Sequence, residues 1–199
     1  MARLMDQHAT LMRDGIYDAA VTVLDRDGLD AMTMERVAEE AGVAKGSLYN
    51  YFQNKTDLLK FVHERTLEPL RQEAQEILDT EAAALEKLKA FIALCFRYME
   101  ERRGLLNFLF NEHAIHKFVR APRTEGGRYL ATIIRQGIKE KTLRPVEPEF
   151  HGTLLFGAIR QVLEEQLAND KPWAVEDMTN GVVRFFLDGV KCPTSSPVG

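Results

Sequence analysis

The sequence predicts an all-α fold, because almost every segment shows helical periodicity and none shows a convincing alternating run bounded by turn residues. A length of 199 residues with 45% hydrophobic and 28% charged residues is ordinary for a globular protein with a sizeable core. Short helices give way to longer, more apolar ones along the chain. We therefore predict a small N-terminal domain (1–54), a connecting helix (55–80), a larger helical domain (81–191) and a flexible tail (192–199).

The first two helices are marked by their apolar stripes and their ends. The first buries one stripe, made of Ile16, Ala19, Ala20, Val23 and Leu24. Gly28 is placed to end this helix with a left-handed conformation. Thr33 is positioned to cap a second helix, with Glu35 in its first turn, and Gly42 is positioned to end it.

The stretch "AGVAKGSLYNYFQNK", residues 41–55, begins the third helix almost at once. Only Gly42 and Val43 separate the second helix from one that starts near Ala44, which is the short corner of a helix-turn-helix. Leu48 and Phe52, four residues apart, supply the apolar face of the third helix. A fourth helix is expected from Lys55 to about residue 78.

The remaining side chains of the third helix predict contact with a nucleic acid. Lys45 stands at the positive end of the helix dipole, and Ala44 cannot accept hydrogen bonds from the first backbone N–H groups, so an anion would be favoured there. Phenolic O–H groups can donate to phosphate, and small polar groups can approach base edges. The residues of these kinds are Gly46, Ser47, Tyr49, Asn50 and Tyr51. The alternative is a helical hairpin whose tyrosines pack against a neighbour.

Residues 28–59, "GLDAMTMERVAEEAGVAKGSLYNYFQNKTDLL", resemble the helix-turn-helix signature of the TetR family of transcriptional regulators. The resemblance implies that a set of five residues holds phosphates and that Ser47 and Asn50 face bases. The five are Thr33, Lys45, Tyr49, Tyr51 and Lys55. Ala44 departs from the Ser or Thr usual in the family, which removes one phosphate or capping contact.

Charge restricts this prediction to a small surface. The net charge of −4 argues against a sequence-independent binder of polyanions, whose affinity comes from neutralising many phosphates. Residues 1–40 carry four arginines against nine acids, net −5, whereas residues 42–60 carry three lysines against one acid, net +2. We expect modest affinity that falls steeply with salt and depends on a dimer.

Two helices near the C-terminus, at roughly 149–169 and 175–190, are apolar around most of their circumference. The resemblance implies that they form a four-helix bundle with a second copy of the chain, and that the operator is palindromic. The predicted dimer interface comprises Leu155, Ile159, Val162, Leu163, Val182, Phe185 and Phe186. The alternative is that both helices are buried within a larger monomeric core.

The helices between residues 82 and 140 are predicted to bind an effector, because they supply enough apolar surface for a pocket. The candidate residues are Phe91, Phe96, Leu106, Phe108, Phe110, His113, Tyr129 and Ile133. "RRGLLNFLFNEH" is similar to the fatty-acyl-responsive members of the family, which implies a long lipophilic effector such as an acyl-CoA. Nearby arginines could meet its phosphates, or could simply form a solvated face.

Several functional classes lack support. The two cysteines lie far apart in sequence and have no metal-ligand spacing, so we expect neither a disulfide nor a metal site from them. The N-terminus has no apolar signal region, and no apolar run is long enough to span a bilayer. We therefore expect an unprocessed cytoplasmic protein. His113 and His116 are three residues apart, but no third metal ligand is evident and a histidine pair is the simpler interpretation. No catalytic or cofactor-binding motif occurs, so no enzyme, metal or cofactor is predicted.

The sequence thus predicts a homodimeric, ligand-responsive transcriptional regulator, a repressor released from its DNA operator by a small lipophilic molecule. The alternative is an all-α dimer that carries or senses a lipophilic ligand and does not bind DNA, as the overall acidity suggests.

Overall fold

The structure is a computed structural model, and it describes residues 2–102, 125–169 and 171–190. Every regular element within these ranges is an α-helix, which confirms the predicted fold class. In chain order the helices are α1 (Ala2–Ala31), α2 (Met34–Glu40), α3 (Lys45–Tyr49), α4 (Lys55–Asp79), α5 (Ala84–Glu101), α6 (Glu125–Lys139), α7 (Pro148–Ala168) and α8 (Val175–Val190).

Gly28 interrupts α1 as predicted, but in a different conformation. Its φ of 77° is positive, which favours glycine, whereas its ψ of 176° is extended. The chain therefore leaves the helix in an extended direction instead of closing a left-handed turn. Thr33 then caps α2, because its hydroxyl oxygen accepts a hydrogen bond from the Arg36 N–H at 3.2 Å, and this confirms the predicted cap.

Backbone contacts divide the chain into two compact units, Met1–Pro69 with Arg102–Arg120 and Leu70–Glu101 with Ala121–Gly199. The boundary between Pro69 and Leu70 falls within α4, and Pro69 has no backbone N–H to contribute to that helix. The first unit is built around side chains of α1, α2, α3 and α4 that are almost fully buried. They include Ile16, Ala20, Val23, Val37, Leu48, Leu58 and Val62. The predicted domain limits at 54, 80 and 191 remain predictions.

The second unit packs α5, α6, α7 and α8 around a core of large apolar side chains. Fully buried members include Leu88, Ile92, Phe96, Leu130, Ile134 and Ile159. Glu140, just after α6, accepts a hydrogen bond from the backbone N–H of Ala84 at 3.0 Å and so caps the start of α5. Small residues allow α6 and α7 to approach closely, since a Cβ on Gly152 would lie 2.5 Å from the carbonyl oxygen of Gly127.

Candidate nucleic-acid interface

The corner between α2 and α3 has a fixed backbone geometry. Gly42 adopts a φ of 66°, and its N–H bonds to the Glu39 carbonyl at 3.0 Å. The next N–H, that of Val43, bonds to the Ala38 carbonyl at 2.9 Å. These two bonds form a Schellman motif, which satisfies the last carbonyls of α2 and turns the chain into α3 within a few residues.

Apolar anchors hold α3 against the rest of the first unit. Leu48 is fully buried, as are Val37 of α2 and Phe52 just after α3. The Phe52 ring lies 5.0 Å from the Phe61 ring of α4, between their centroids. Because these anchors use one side of the five-residue helix, its other side faces outward.

The predicted DNA-binding residues lie mostly on this outward side. The exposed ones are Thr33, Lys45, Gly46, Tyr49 and Asn50, and the half-buried ones are Ser47, Tyr51 and Lys55. A Cβ added to Gly46 would meet nothing within 4 Å, so the backbone there is open to close approach. Ala44 precedes α3 without any side-chain capping bond, as predicted. We name the surface formed by these residues, from Thr33 to Lys55, the α2–α3 face.

Lys45 has a partner that sequence reasoning missed. Its ammonium forms an ion pair with the carboxylate of Glu35 in the first turn of α2, and it also lies 5.9 Å from the centroid of the Tyr49 ring. The hydrogen bond from Lys45 lowers the pKa of Glu35, and the same contact raises the pKa of Lys45. The sequence indicated Glu35 only as a complement to the helix dipole.

Lys55 is also engaged within the chain. Its Nζ donates a hydrogen bond to the backbone carbonyl of Leu29 at 2.7 Å, which ties the start of α4 to the segment after the Gly28 interruption. An ammonium group has three donors, so two remain for an anion. Lys55 therefore positions the segment that leads to Thr33.

Two arginines beside this face, Arg26 of α1 and Arg36 of α2, form ion pairs with acids. Arg26 pairs with Asp27 at 3.0 Å and with Glu40 at 2.9 Å, and Arg36 pairs with Asp27 at 3.4 Å. The pKa of Asp27 is lowered, chiefly by its hydrogen bond with Arg26. These exposed pairs join α1 to α2 and add little positive potential to the surrounding surface.

The candidate effector residues of the second unit lie in or beside its core. Phe91, Phe96 and Ile133 are buried, and the half-buried Tyr129 has its ring 5.8 Å from that of Phe91. The other four candidates fall outside the described residues, namely Leu106, Phe108, Phe110 and His113. In the ranges that the structure describes, no group of three or more metal-ligating side chains occurs.

The predicted dimer interface stays a prediction, but most of its residues are not exposed in the single chain. Five of the seven are buried and pack in the core of the second unit. These five are Leu155, Ile159, Leu163, Val182 and Phe186. Val162 is half-buried, and only Phe185 is exposed, at 74%.

The exposed apolar groups of α7 and α8 lie elsewhere on the helices. Phe150 and Leu154 of α7 are exposed at 59% and 56%, and they are four residues apart on one face of the helix. Phe185 of α8 is also exposed, and we name the three exposed large apolar side chains of these two helices, taken as a set, the outer apolar patch. No helix among residues 2–102, 125–169 and 171–190 is long and apolar enough to cross a membrane.

Comparisons with known proteins give relatives over most of the chain. The HTH-type transcriptional repressor KstR2 of Mycolicibacterium smegmatis is 29% identical over 140 residues, which are 67% of this chain and 68% of that protein. The Fatty acid metabolism regulator protein of Bacillus subtilis is 23% identical over 181 residues, or 88% and 93% of the two chains.

A solved structure shares the fold. The transcriptional regulator FadR from Bacillus subtilis, in complex with stearoyl-CoA, superposes with a TM-score of 0.77 at 23% identity, covering 88% of this chain and 97% of that chain. Residues 16–62, which contain the α2–α3 corner, match the model of the family described as bacterial regulatory proteins, tetR family. The resemblance to the TetR family is thereby confirmed for the part of the chain that carries the helix-turn-helix.

Proposed function

We propose that this protein is a homodimeric cytoplasmic repressor that binds a palindromic DNA operator through the α2–α3 face and releases it when a lipophilic small molecule binds. The observation that carries the proposal is the outward side of α3, where Lys45, Tyr49 and Asn50 are exposed above the buried Leu48. Exposed polar groups on a short helix fixed by buried anchors are what reading of a DNA groove requires.

The residues of the α2–α3 face divide by chemistry. Thr33, Lys45, Tyr49, Tyr51 and Lys55 offer donors to phosphate oxygens, which set affinity and register on the duplex. Ser47 and Asn50 offer short polar groups to base edges, and an Asn amide can bond to adenine at two positions. The open backbone at Gly46 lets the helix approach the bases closely.

Two copies of the α2–α3 face, one from each protomer and called heads below, are needed to reach successive major grooves, which lie roughly 34 Å apart. This requirement favours a dimer. The outer apolar patch supports the second copy, because three exposed large apolar side chains on two adjacent helices are unfavourable in water. Replacing Leu154 and Phe185 with Ser is expected to give monomers in light scattering. The control is Leu11→Ser, which changes another exposed leucine, in α1. A double variant that remains dimeric would exclude this patch as the interface.

The DNA interface is tested by selecting duplexes from a random pool and measuring binding of variants. Lys45→Ala and Tyr49→Ala are expected to weaken binding to all duplexes by similar factors, with a smaller salt slope for the lysine variant. Asn50→Ala and Ser47→Ala are expected to relax base preference by about 1–3 kcal/mol at single positions. Lys60→Ala removes an exposed lysine of α4 that we do not assign to DNA, and it serves as the charge control. Equal losses on every duplex for all four variants would remove the base-reading role.

The effector class rests on similarity to a fatty acid metabolism regulator and to a structure that contains stearoyl-CoA. Phe91, Phe96, Tyr129 and Ile133 are buried or half-buried, largely apolar side chains of the second unit, and their chemistry supports contact with a long acyl chain. Adding stearoyl-CoA to the protein–DNA complex is expected to release the duplex, whereas free CoA and stearate test each half of the ligand. Native mass spectrometry of protein purified from its host would identify a retained ligand of another class.

The second candidate function is that of a lipophilic-ligand carrier or sensor that does not bind DNA. The net charge of −4 and the pairing of Lys45 with Glu35 favour it. Binding of an acyl-CoA by a protein that enriches no duplex from the pool would establish this alternative.

A further inference from the structure

The ion pair between Glu35 and Lys45 lies on the α2–α3 face itself. Glu35 belongs to the first turn of α2 and Lys45 is the first residue of α3, so the pair spans the corner. Both side chains are 55% exposed, and neither is withdrawn from the surface that would meet a phosphate.

The carboxylate is held in place before any ligand arrives. Thr33 fixes the start of α2 through its capping bond, and a negative group in the first turn of a helix is stabilised by the dipole. The Schellman bonds of the corner and the buried Val37 and Leu48 fix α3 relative to α2. The Glu35 carboxylate is therefore presented to the Lys45 ammonium by a rigid frame.

We propose that Glu35 is an intramolecular competitor for DNA phosphate at Lys45 and thereby lowers the affinity of the protein for every duplex. This inference rests on the proposed function. The carboxylate accepts a hydrogen bond from the Lys45 ammonium and brings a negative charge next to it. A phosphate must therefore either replace the carboxylate or bind beside that negative charge. The competition is sequence-independent, because phosphates carry no base information.

The expected size follows from exposed ion pairs. Such pairs are worth up to about 1 kcal/mol, which corresponds to about a 2- to 5-fold change in affinity per head. Removing the carboxylate also makes one more lysine charge available to the backbone, so the salt slope becomes steeper by about 0.9 per head. Selected and unrelated duplexes are expected to gain by the same factor.

The test compares Glu35→Gln with the wild type on the best duplex from the random pool and on a scrambled duplex of the same composition. Glutamine keeps the shape of the side chain and removes its charge. Glu39→Gln removes another exposed carboxylate of α2 and reports the general effect of net charge. Lys45→Met, alone and combined with Glu35→Gln, completes a double-mutant cycle. Circular dichroism melts verify that all variants fold.

The inference predicts tighter binding of Glu35→Gln to both duplexes, a smaller gain for Glu39→Gln, and loss of the Glu35→Gln gain in the Lys45→Met background. Weaker binding of Glu35→Gln would mean that the carboxylate positions Lys45, and unchanged binding would mean that it does not compete; either overturns the inference. A gain on the selected duplex alone would also overturn it, because it indicates a base contact. If neither the wild type nor Glu35→Gln binds any duplex, the proposed function itself fails.

Discussion

Replacing Gly152 with Ala adds a methyl group where the backbones of α6 and α7 come close together. The new Cβ would lie 2.5 Å from the carbonyl oxygen of Gly127, 2.9 Å from the backbone nitrogen of Ala131 and 3.3 Å from its Cα. All three are backbone atoms, so no side-chain rotation can relieve the contact. The two helices must separate.

The magnitude follows from these distances. Ordinary contact begins near 3.4 Å, so the Cβ and the Gly127 oxygen must move apart by 3.4 minus 2.5, about 0.9 Å. Overpacking of this kind costs about 1–3 kcal/mol, whereas the better helix propensity of Ala returns up to about 1 kcal/mol. We expect a net decrease of about 1–2 kcal/mol in the free energy of unfolding.

Urea unfolding followed by circular dichroism measures this difference. Gly157→Ala is the matched control, because it makes the same change in the same helix at a position where an added Cβ meets nothing within 4 Å. This control is expected to keep or raise stability, by up to about 1 kcal/mol. Titrations at two protein concentrations separate the stability of the chain from its association. A Gly152→Ala variant as stable as the control would refute the close approach of α6 and α7.

Three further predictions concern single groups of the second unit. The hydrogen bond from the Ala84 N–H is the main cause of a pKa of Glu140 below the usual 4.5. The carboxylate of Glu140 therefore stabilises the folded chain above pH 4.5, and this stabilisation is lost as the pH falls through the pKa of Glu140 in the folded state. Glu140→Gln should accordingly be less stable than the wild type at neutral pH and equal to it in acid, as followed by thermal melts across pH. Burial raises the pKa of the Cys95 thiol to about 12. In a Cys192→Ser variant, which leaves Cys95 as the single thiol, Ellman's reagent should not react near neutral pH until the protein is unfolded. Rapid reaction of the folded variant would contradict the burial of Cys95. The buried Gln166 amide donates a hydrogen bond to the Trp173 carbonyl at 2.9 Å and accepts one from the Trp173 N–H at 3.1 Å. Gln166→Leu should therefore lower the free energy of unfolding by about 1–3 kcal/mol. An unchanged urea midpoint would show that water replaces both bonds.

The helix ends could be predicted because their signals are local. Thr33 as the cap of α2, Gly42 as the residue that ends it and Lys55 as the start of α4 each depend on residues a few positions apart. The conformation of Gly28 was predicted only in the sign of φ, because ψ there depends on where the chain goes next.

The orientation of α7 could not be predicted in the same way. Its sequence offers two apolar faces, one containing Leu155 and Ile159 and the other containing Phe150 and Leu154. Helical periodicity identifies both faces, but only the packing against the rest of the unit decides which is buried. The structure buries the first face and exposes the second. The ion pair of Lys45 was missed for a related reason, since its partner lies ten residues earlier across a turn.

The partners of the two lysines explain why an acidic chain would need two heads to bind DNA. Lys45 is paired with Glu35, and Lys55 donates to the Leu29 carbonyl, so in the proposed DNA complex each lysine would start from an intramolecular contact already made. The gain on binding is then the difference between two favourable contacts, which is smaller than the full value of a phosphate contact. Because the free energies of two linked heads add, their combined affinity can still be high when each alone is weak. Breaking the dimer at Leu154 and Phe185 should therefore weaken operator binding far more than removing the Lys45 ammonium does.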